Sequence, residues 1–126
     1  MNAAEAVGRT LAALGVRDAF GVLGSGNFLA TQALHSAGCA FHHARHEGGA
    51  ICMADGYARV SDPAHPRVGV CSVHQGPGFT NALTGLTEAA KSRTPLLLVA
   101  GEAPAAASSA RTTSCWPAAS SASSPW

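Results

Sequence analysis

The sequence predicts an α/β fold: an open, mostly parallel sheet with helices on both faces. Short apolar runs alternate with longer segments whose apolar residues recur at helical spacing, the pattern of successive β-α-β units. Leu96–Ala100 is the most continuous apolar run, as expected of a parallel strand covered on both faces. Glycine-bearing turns, Gly24-Ser25-Gly26-Asn27 and Gly76-Pro77-Gly78, stand where a strand must give way to a helix. At 126 residues there is room for one domain with a sizeable core and none for a second of equal size.

The elements follow in order. Ala6, Val7, Thr10, Leu11 and Leu14 form a helical stripe, so a first helix is expected over about Ala3–Leu14, ended by Gly15 in the left-handed conformation. Asp18–Leu23 reads as a short buried strand and Gly24–Asn27 as the tight turn after it. A second helix follows over Phe28–Ser36, closed by Gly38, then a second strand near Cys39–Ala44. Ala50, Met53, Ala54, Tyr57 and Ala58 set the period of a third helix, Glu47–Val60, and two prolines keep Ser61–Pro66 a loop. Val68–Val73 is the next strand, and a helix over about Phe79–Lys91 leads to Leu96–Ala100. Right-handed crossovers would place the strand-end loops on one edge of the sheet. Gly24–Asn27, His46-Glu47 and His74–Gly78 are therefore expected to converge where open α/β sheets bind ligands.

Composition narrows the function classes. Hydrophobic residues make up 47% and charged residues 12%, apolar enough to suggest that some apolar surface meets a partner. A formal charge of +1 gives no reason to invoke nucleic acid or an anionic membrane. No apolar run approaches the roughly 20 residues of a membrane span, and the N-terminus lacks a basic start before an apolar stretch, so the chain reads as cytoplasmic. Cys39, Cys52, Cys71 and Cys115 form no C-x-x-C pair, so buried free thiols are expected rather than a zinc ribbon or a redox dithiol.

The stretch His46-Glu47-Gly48-Gly49-Ala50 places one carboxylate between a strand end and the first turn of a helix. Spacing alone allows a structural role, since an acid there meets unpaired N–H groups and the positive end of the helix dipole. The longer segment R-H-E-G-G-A-I-C-M-A-D-G-Y-A-R, Arg45–Arg59, resembles the one that carries the catalytic glutamate in thiamine-diphosphate enzymes of the acetolactate synthase type. Gly15–Asn27, Gly76–Gly85 and Ser92–Gly101 agree with the same family in the same order, and together the segments cover residues 1–104.

That resemblance implies the thiamine-diphosphate-binding fold and, within it, the N-terminal, pyrimidine-binding domain of an enzyme acting on 2-keto acids such as pyruvate. It makes Glu47 the group that shares a proton with the cofactor's aminopyrimidine, and the cofactor an electron sink for decarboxylation. A carboxyl with that task needs a partly desolvated site that raises its pKa, and apolar Ile51 and Phe41 are the expected neighbours. Pro77 and Asn81 match family positions beside the cofactor rings, and Gly24 a glycine that lets backbone approach the aminopyrimidine. Each also has a structural reading: a turn for Gly24, a fixed φ entering a helix for Pro77, an early helical turn for Asn81. Leu23 stands where members often have proline, and His74-Gln75 where they often have Ser or Thr-Ser, which leaves the exact reaction open.

The resemblance further implies magnesium held with the diphosphate by another domain, since the family's G-D-G segment is missing and Asp55-Gly56 follows alanine. Flavin adenine dinucleotide occurs in some members. The expected partner is the diphosphate-binding domain of a second subunit, in a homodimer or tetramer, with the isolated chain inactive. Two other readings compete. Gly24-Ser25-Gly26-Asn27-Phe28-Leu29 begins like the dinucleotide fingerprint of a Rossmann-like module, with Leu29 in place of the third glycine. His42, His43 and His46 beside Glu47 suggest a metal cluster, yet neighbours along a strand point to opposite faces and no metal site is expected. Residues 105–126, mostly Ala and Ser with Trp116 and Trp126 isolated among them, read as a disordered tail, either a truncated or frame-shifted reading or a genuine flexible end.

Overall fold

The computed structural model describes residues 2–102. Along them run α1 (Ala3–Ala13), β1 (Asp18–Gly21), α2 (Phe28–Ser36), β2 (Ala40–His43), α3 (Glu47–Arg59), β3 (Gly69–Val73), α4 (Pro77–Lys91) and β4 (Leu96–Ala100). The strands form one parallel sheet of order β2-β1-β3-β4, with Gly21 opposite both His43 and Ser72. This is the expected α/β architecture, and every expected element is present with ends shifted by a residue or two.

Local chemistry sets those ends. Asn2 and Glu5 form a capping box at the start of α1: the Glu5 N–H donates to Asn2 Oδ1 at 2.8 Å and the Asn2 N–H to Glu5 Oε2 at 3.2 Å. Gly15, at φ 96°, ends the helix as expected. Helix α4 begins at Pro77 rather than Phe79, because Gly76 at φ 64° makes the turn and proline, lacking an N–H, suits the first helical position.

Period two along the strands splits the core between two faces. Ala19 and Val70 point to one, against Ala12, Leu34 and Cys39. Phe20, Cys71 and Val73 point to the other, against Ala50, Ile51 and Ala54 of α3 and Ala82 of α4. Helices α3 and α4 pack closely because Gly85 offers no side chain where a Cβ would overlap Ile51. The chain leaves β1 toward one side of the sheet and, after β2, crosses back to β3 on the other. The strand order therefore reverses between β1 and β3, the switch point at which such sheets open a crevice.

Two expectations need correction. Leu96–Ala100 is not covered on both faces: β4 lies at the edge of the described sheet, with Leu97 37% exposed, while β3 is buried along its whole length despite Ser72. Place in the strand order, rather than apolarity, decides coverage. Cys39 and Cys71 are buried free thiols, but Cys52 of α3 is exposed. Cys115 and the expected tail over 105–126 lie outside the described residues. No helix among the described residues is long and apolar enough to cross a membrane.

Candidate functional site

Glu47 is the first residue of α3, but it does not cap that helix. His46 does so, its Nδ1 accepting the Gly48 N–H at 3.0 Å. The Glu47 carboxylate turns instead toward α4, where Asn81 Nδ2 donates to Oε2 at 3.0 Å. Gly78 packs beside them, where a Cβ would be in ordinary contact with Glu47 Oε1 at 3.4 Å and with the Cβ of His74 at 3.5 Å. Asn81, Gly78 and Glu47 thus come together from two helix N-terminal turns, and Pro77 sits exposed at the head of α4 beside them.

The third loop closes the group from the β1 side. The Gly26 N–H donates to His74 Nδ1 at 3.0 Å, and the His74 ring lies so close to Gly24 that a Cβ on Gly24 would come within 2.7 Å of its Cγ. Beneath the turn, buried Asn27 accepts the Gly24 N–H at 2.8 Å and donates to the Val22 carbonyl at 3.1 Å and to Ser72 Oγ at 3.0 Å. Thr31 completes the network through Ser72 Oγ at 2.9 Å. The three strand-end loops converge as topology demands. Sequence reasoning placed Asn27 in the turn without its buried role, and His74 in the loop without its bond across the crevice. An asparagine closing a strand-to-helix turn was the available signal for the first; the second depends on the β1–β3 register.

Electrostatics correct the expected pKa. Glu47 is held below the ordinary carboxylate range, chiefly by the Asn81 donor and then by its own backbone N–H; burial opposes them, and the nearby His46 and His74 lower it further. Ile51 is buried within the core beneath the site, and Phe41 packs on the other face of the sheet, so neither encloses the carboxylate. Under the site, burial and the charge of Glu47 push the Cys71 thiol up to about 12, which keeps it neutral.

The residues of the two competing readings are differently engaged. In a dinucleotide turn the glycine N–H groups face the pyrophosphate, whereas here the Gly24 and Gly26 N–H groups are taken by Asn27 and His74. His42 and His43 lie on opposite faces of β2: His42 stacks on Phe20 and pairs with Asp18, and His43 meets Phe41 edge-on.

A parallel α/β domain with a carboxylate and three loops gathered at its strand switch point has the arrangement in which open α/β sheets bind small ligands. Residues 1–121 match the family described as Thiamine pyrophosphate enzyme, N-terminal TPP binding domain, and the chain belongs to that family. Over 103 residues it is 40% identical to acetolactate synthase isozyme 3 large subunit of Escherichia coli, covering 81% of this chain and 17% of that protein. It is 39% identical over 103 residues to a sulfoacetaldehyde acetyltransferase of Castellaniella defragrans, covering 82% and 17%. It is 40% identical over 99 residues to a probable 2-ketoarginine decarboxylase of Pseudomonas aeruginosa, covering 79% and 17%. The chain therefore spans about a sixth of the length of the curated relatives it matches.

Proposed function

We propose that this chain is the aminopyrimidine-binding part of a thiamine-diphosphate enzyme acting on 2-keto acids, with Glu47 as its proton-sharing group. The pairing of Glu47 with Asn81 above Gly78 carries the reading. Asn81 occupies Oε2 and orients the carboxylate, and Gly78, which has no side chain, lies beside Oε1. In this reading a ring nitrogen of the aminopyrimidine approaches the Glu47 carboxylate on the side away from Asn81. Gly24 and Pro77 flank it with surfaces that present no competing charge. When bound, thiamine diphosphate supplies the electron sink for decarboxylation or carbon–carbon bond formation.

The lowered pKa of Glu47 bears on who else must be present. A carboxyl held below its ordinary range carries almost no proton at neutral pH, and a covering surface that removes water would push it back up. Exposed Met53, Phe79 and Leu83 lie on the two helices beside Glu47, and a groove of about 760 Å³ between the same helices is lined by Gly48, Cys52, Thr84 and Gly85. In this reading a second subunit's diphosphate-binding domain, with its magnesium ion, covers that face in a cytoplasmic homodimer or tetramer, and the chain alone does not turn over.

The test uses a chain completed with the further domains that its relatives carry. Glu47→Gln keeps the shape and removes the shared proton, so kcat should fall by about 10²- to 10⁴-fold while thiamine diphosphate still binds. Retention of most activity would remove Glu47 from the chemistry.

A further inference from the structure

We propose that Asn27 is a positioning residue for the site: its side-chain amide fixes the Gly24 backbone, with Ser72 as the anchor, and thereby sets cofactor affinity rather than turnover. Asn27 and Ser72 are each 1% exposed, although both are polar. Asn27 Oδ1 accepts the Gly24 N–H at 2.8 Å, while Nδ2 donates to the Val22 carbonyl at 3.1 Å and to Ser72 Oγ at 3.0 Å. One planar amide therefore grips the main chain on both sides of Leu23. Turning that amide over would set its NH2 against the Gly24 N–H and its oxygen against the Val22 carbonyl, so the partners allow a single orientation.

Ser72 ties this grip to the middle of the sheet. It lies on β3 opposite Gly21 of β1, its carbonyl accepts the Val22 N–H at 3.3 Å, and Thr31 of α2 meets its hydroxyl at 2.9 Å. The turn, α2 and β3 thus meet at one hydroxyl group. The outer end of the turn is held otherwise: Gly26 donates its N–H to His74 Nδ1 at 3.0 Å, and a Cβ on Gly101 would lie 2.5 Å from the Gly26 backbone. Gly24 is the inner end. A Cβ there would come within 2.7 Å of His74 Cγ, so the ring blocks Gly24 on one side, and the bond to Asn27 opposes its movement away. The consequence for affinity rests on the proposed function, in which the aminopyrimidine meets the Gly24 backbone. Glu47 takes its side-chain donor from Asn81 and not from this network, so the proton-sharing step should keep its rate once the cofactor is bound.

Two readouts test this. In the 126-residue chain without cofactor, Asn27→Ala should speed hydrogen exchange of the Gly24 amide about tenfold and leave Val70 and Cys71 of β3 unchanged. In a chain completed with the further domains of its relatives, the same variant should raise the KM for thiamine diphosphate about tenfold and change kcat by less than about twofold. That split is the reverse of the one expected for Glu47→Gln. Ser72→Ala keeps the Asn27–Gly24 bond and removes only the anchor, so both effects should appear in the same direction at about two- to threefold. It decides the matter should Asn27→Ala fail to fold. A merely structural Asn27 would lower the melting temperature and leave the cofactor KM where it was, which overturns the proposal, as does an unchanged Gly24 amide or a loss confined to kcat. A completed chain that thiamine diphosphate does not saturate before any substitution fails the proposed function, and the affinity claim with it; an unchanged KM in Asn27→Ala beside a saturable unmodified enzyme fails Asn27 alone.

Discussion

Asp18 and Glu47 are carboxylates at opposite edges of one sheet, both held below the ordinary carboxylate range, and they are partnered in opposite ways. Asp18, at the start of β1, accepts from His42 Nε2 at 2.8 Å on one oxygen and from the Tyr57 hydroxyl at 2.9 Å on the other. Arg67 lies over the Tyr57 ring at 5.3 Å, and Phe20 stacks on His42, so every partner of the cluster is a side chain of this fold. Glu47 has one side-chain donor, Asn81, together with its own backbone N–H, and one of its oxygens lies beside a glycine. A carboxylate shared by two side chains of the fold serves the fold; one held by a single side-chain amide keeps more capacity for a ligand. The direction of the pKa shift is the same in both and separates nothing.

The comparison is broken most sharply by exchanging the roles. Glu47→Gln should lower the activity of the completed enzyme by about 10²- to 10⁴-fold and leave the melting temperature of the domain almost where it was. Asp18→Ala should do the reverse. It strips His42 and Tyr57 of their shared acceptor, and the loss of hydrogen bonds to a charged group should cost about 2 kcal/mol. For a domain of this size that is a fall in Tm of roughly 10 °C, read by thermal circular dichroism. A large loss of stability with Glu47→Gln, or none with Asp18→Ala, would show that the partner count misassigns the two acids.

Acid titration sharpens the same contrast. The folded pKa of Asp18 is lowered, first by the His42 hydrogen bond, so its contribution is fully present above the ordinary value of about 3.9 and is lost as pH falls through the lower folded value. Asp18→Asn, measured by denaturant unfolding at pH 6 and at pH 3, should therefore show a smaller loss of stability between the two than the unmodified chain. An equal loss would place the acid sensitivity elsewhere.

Much of this was legible in the sequence, and the limits have physical causes. The helical stripe before Gly15, the prolines of Ser61–Pro66 and the glycine turns are local signals, and they located the elements. Glu47, Gly24, Pro77 and Asn81 were named from the segments shared with a known family, and the fold brings their loops to one edge. What sequence could not supply is contact between elements. The bond from Gly26 to His74 spans 48 positions and exists only because Gly21 pairs with Ser72. The environment of Glu47 was misjudged for the same reason: Ile51 is near in sequence but turned into the core, while Asn81, 34 positions away, sets the pKa.

Asn81 carries the smallest of the expected effects and the one that reads the site most directly. Its amide is the first cause of the lowered Glu47 pKa, and burial already pushes the other way. Asn81→Ala removes the largest lowering cause and leaves the backbone N–H and the burial, so the Glu47 pKa should move upward, toward the ordinary carboxylate range. Carboxyl carbon chemical shifts followed through an acid titration measure this on the isolated chain. The stability effect has a definite sign: the stabilisation from Glu47 exists above its unfolded pKa and disappears as pH falls through the lower folded one, so Asn81→Ala should cost up to about 1 kcal/mol near neutral pH and almost nothing in strong acid. An upward shift is also what the proposed chemistry asks of this carboxyl when a partner covers it, so the variant mimics one part of assembly. If the Glu47 pKa does not rise in Asn81→Ala, the amide does not control the carboxylate, and Asn81 is no more than a residue in an early helical turn.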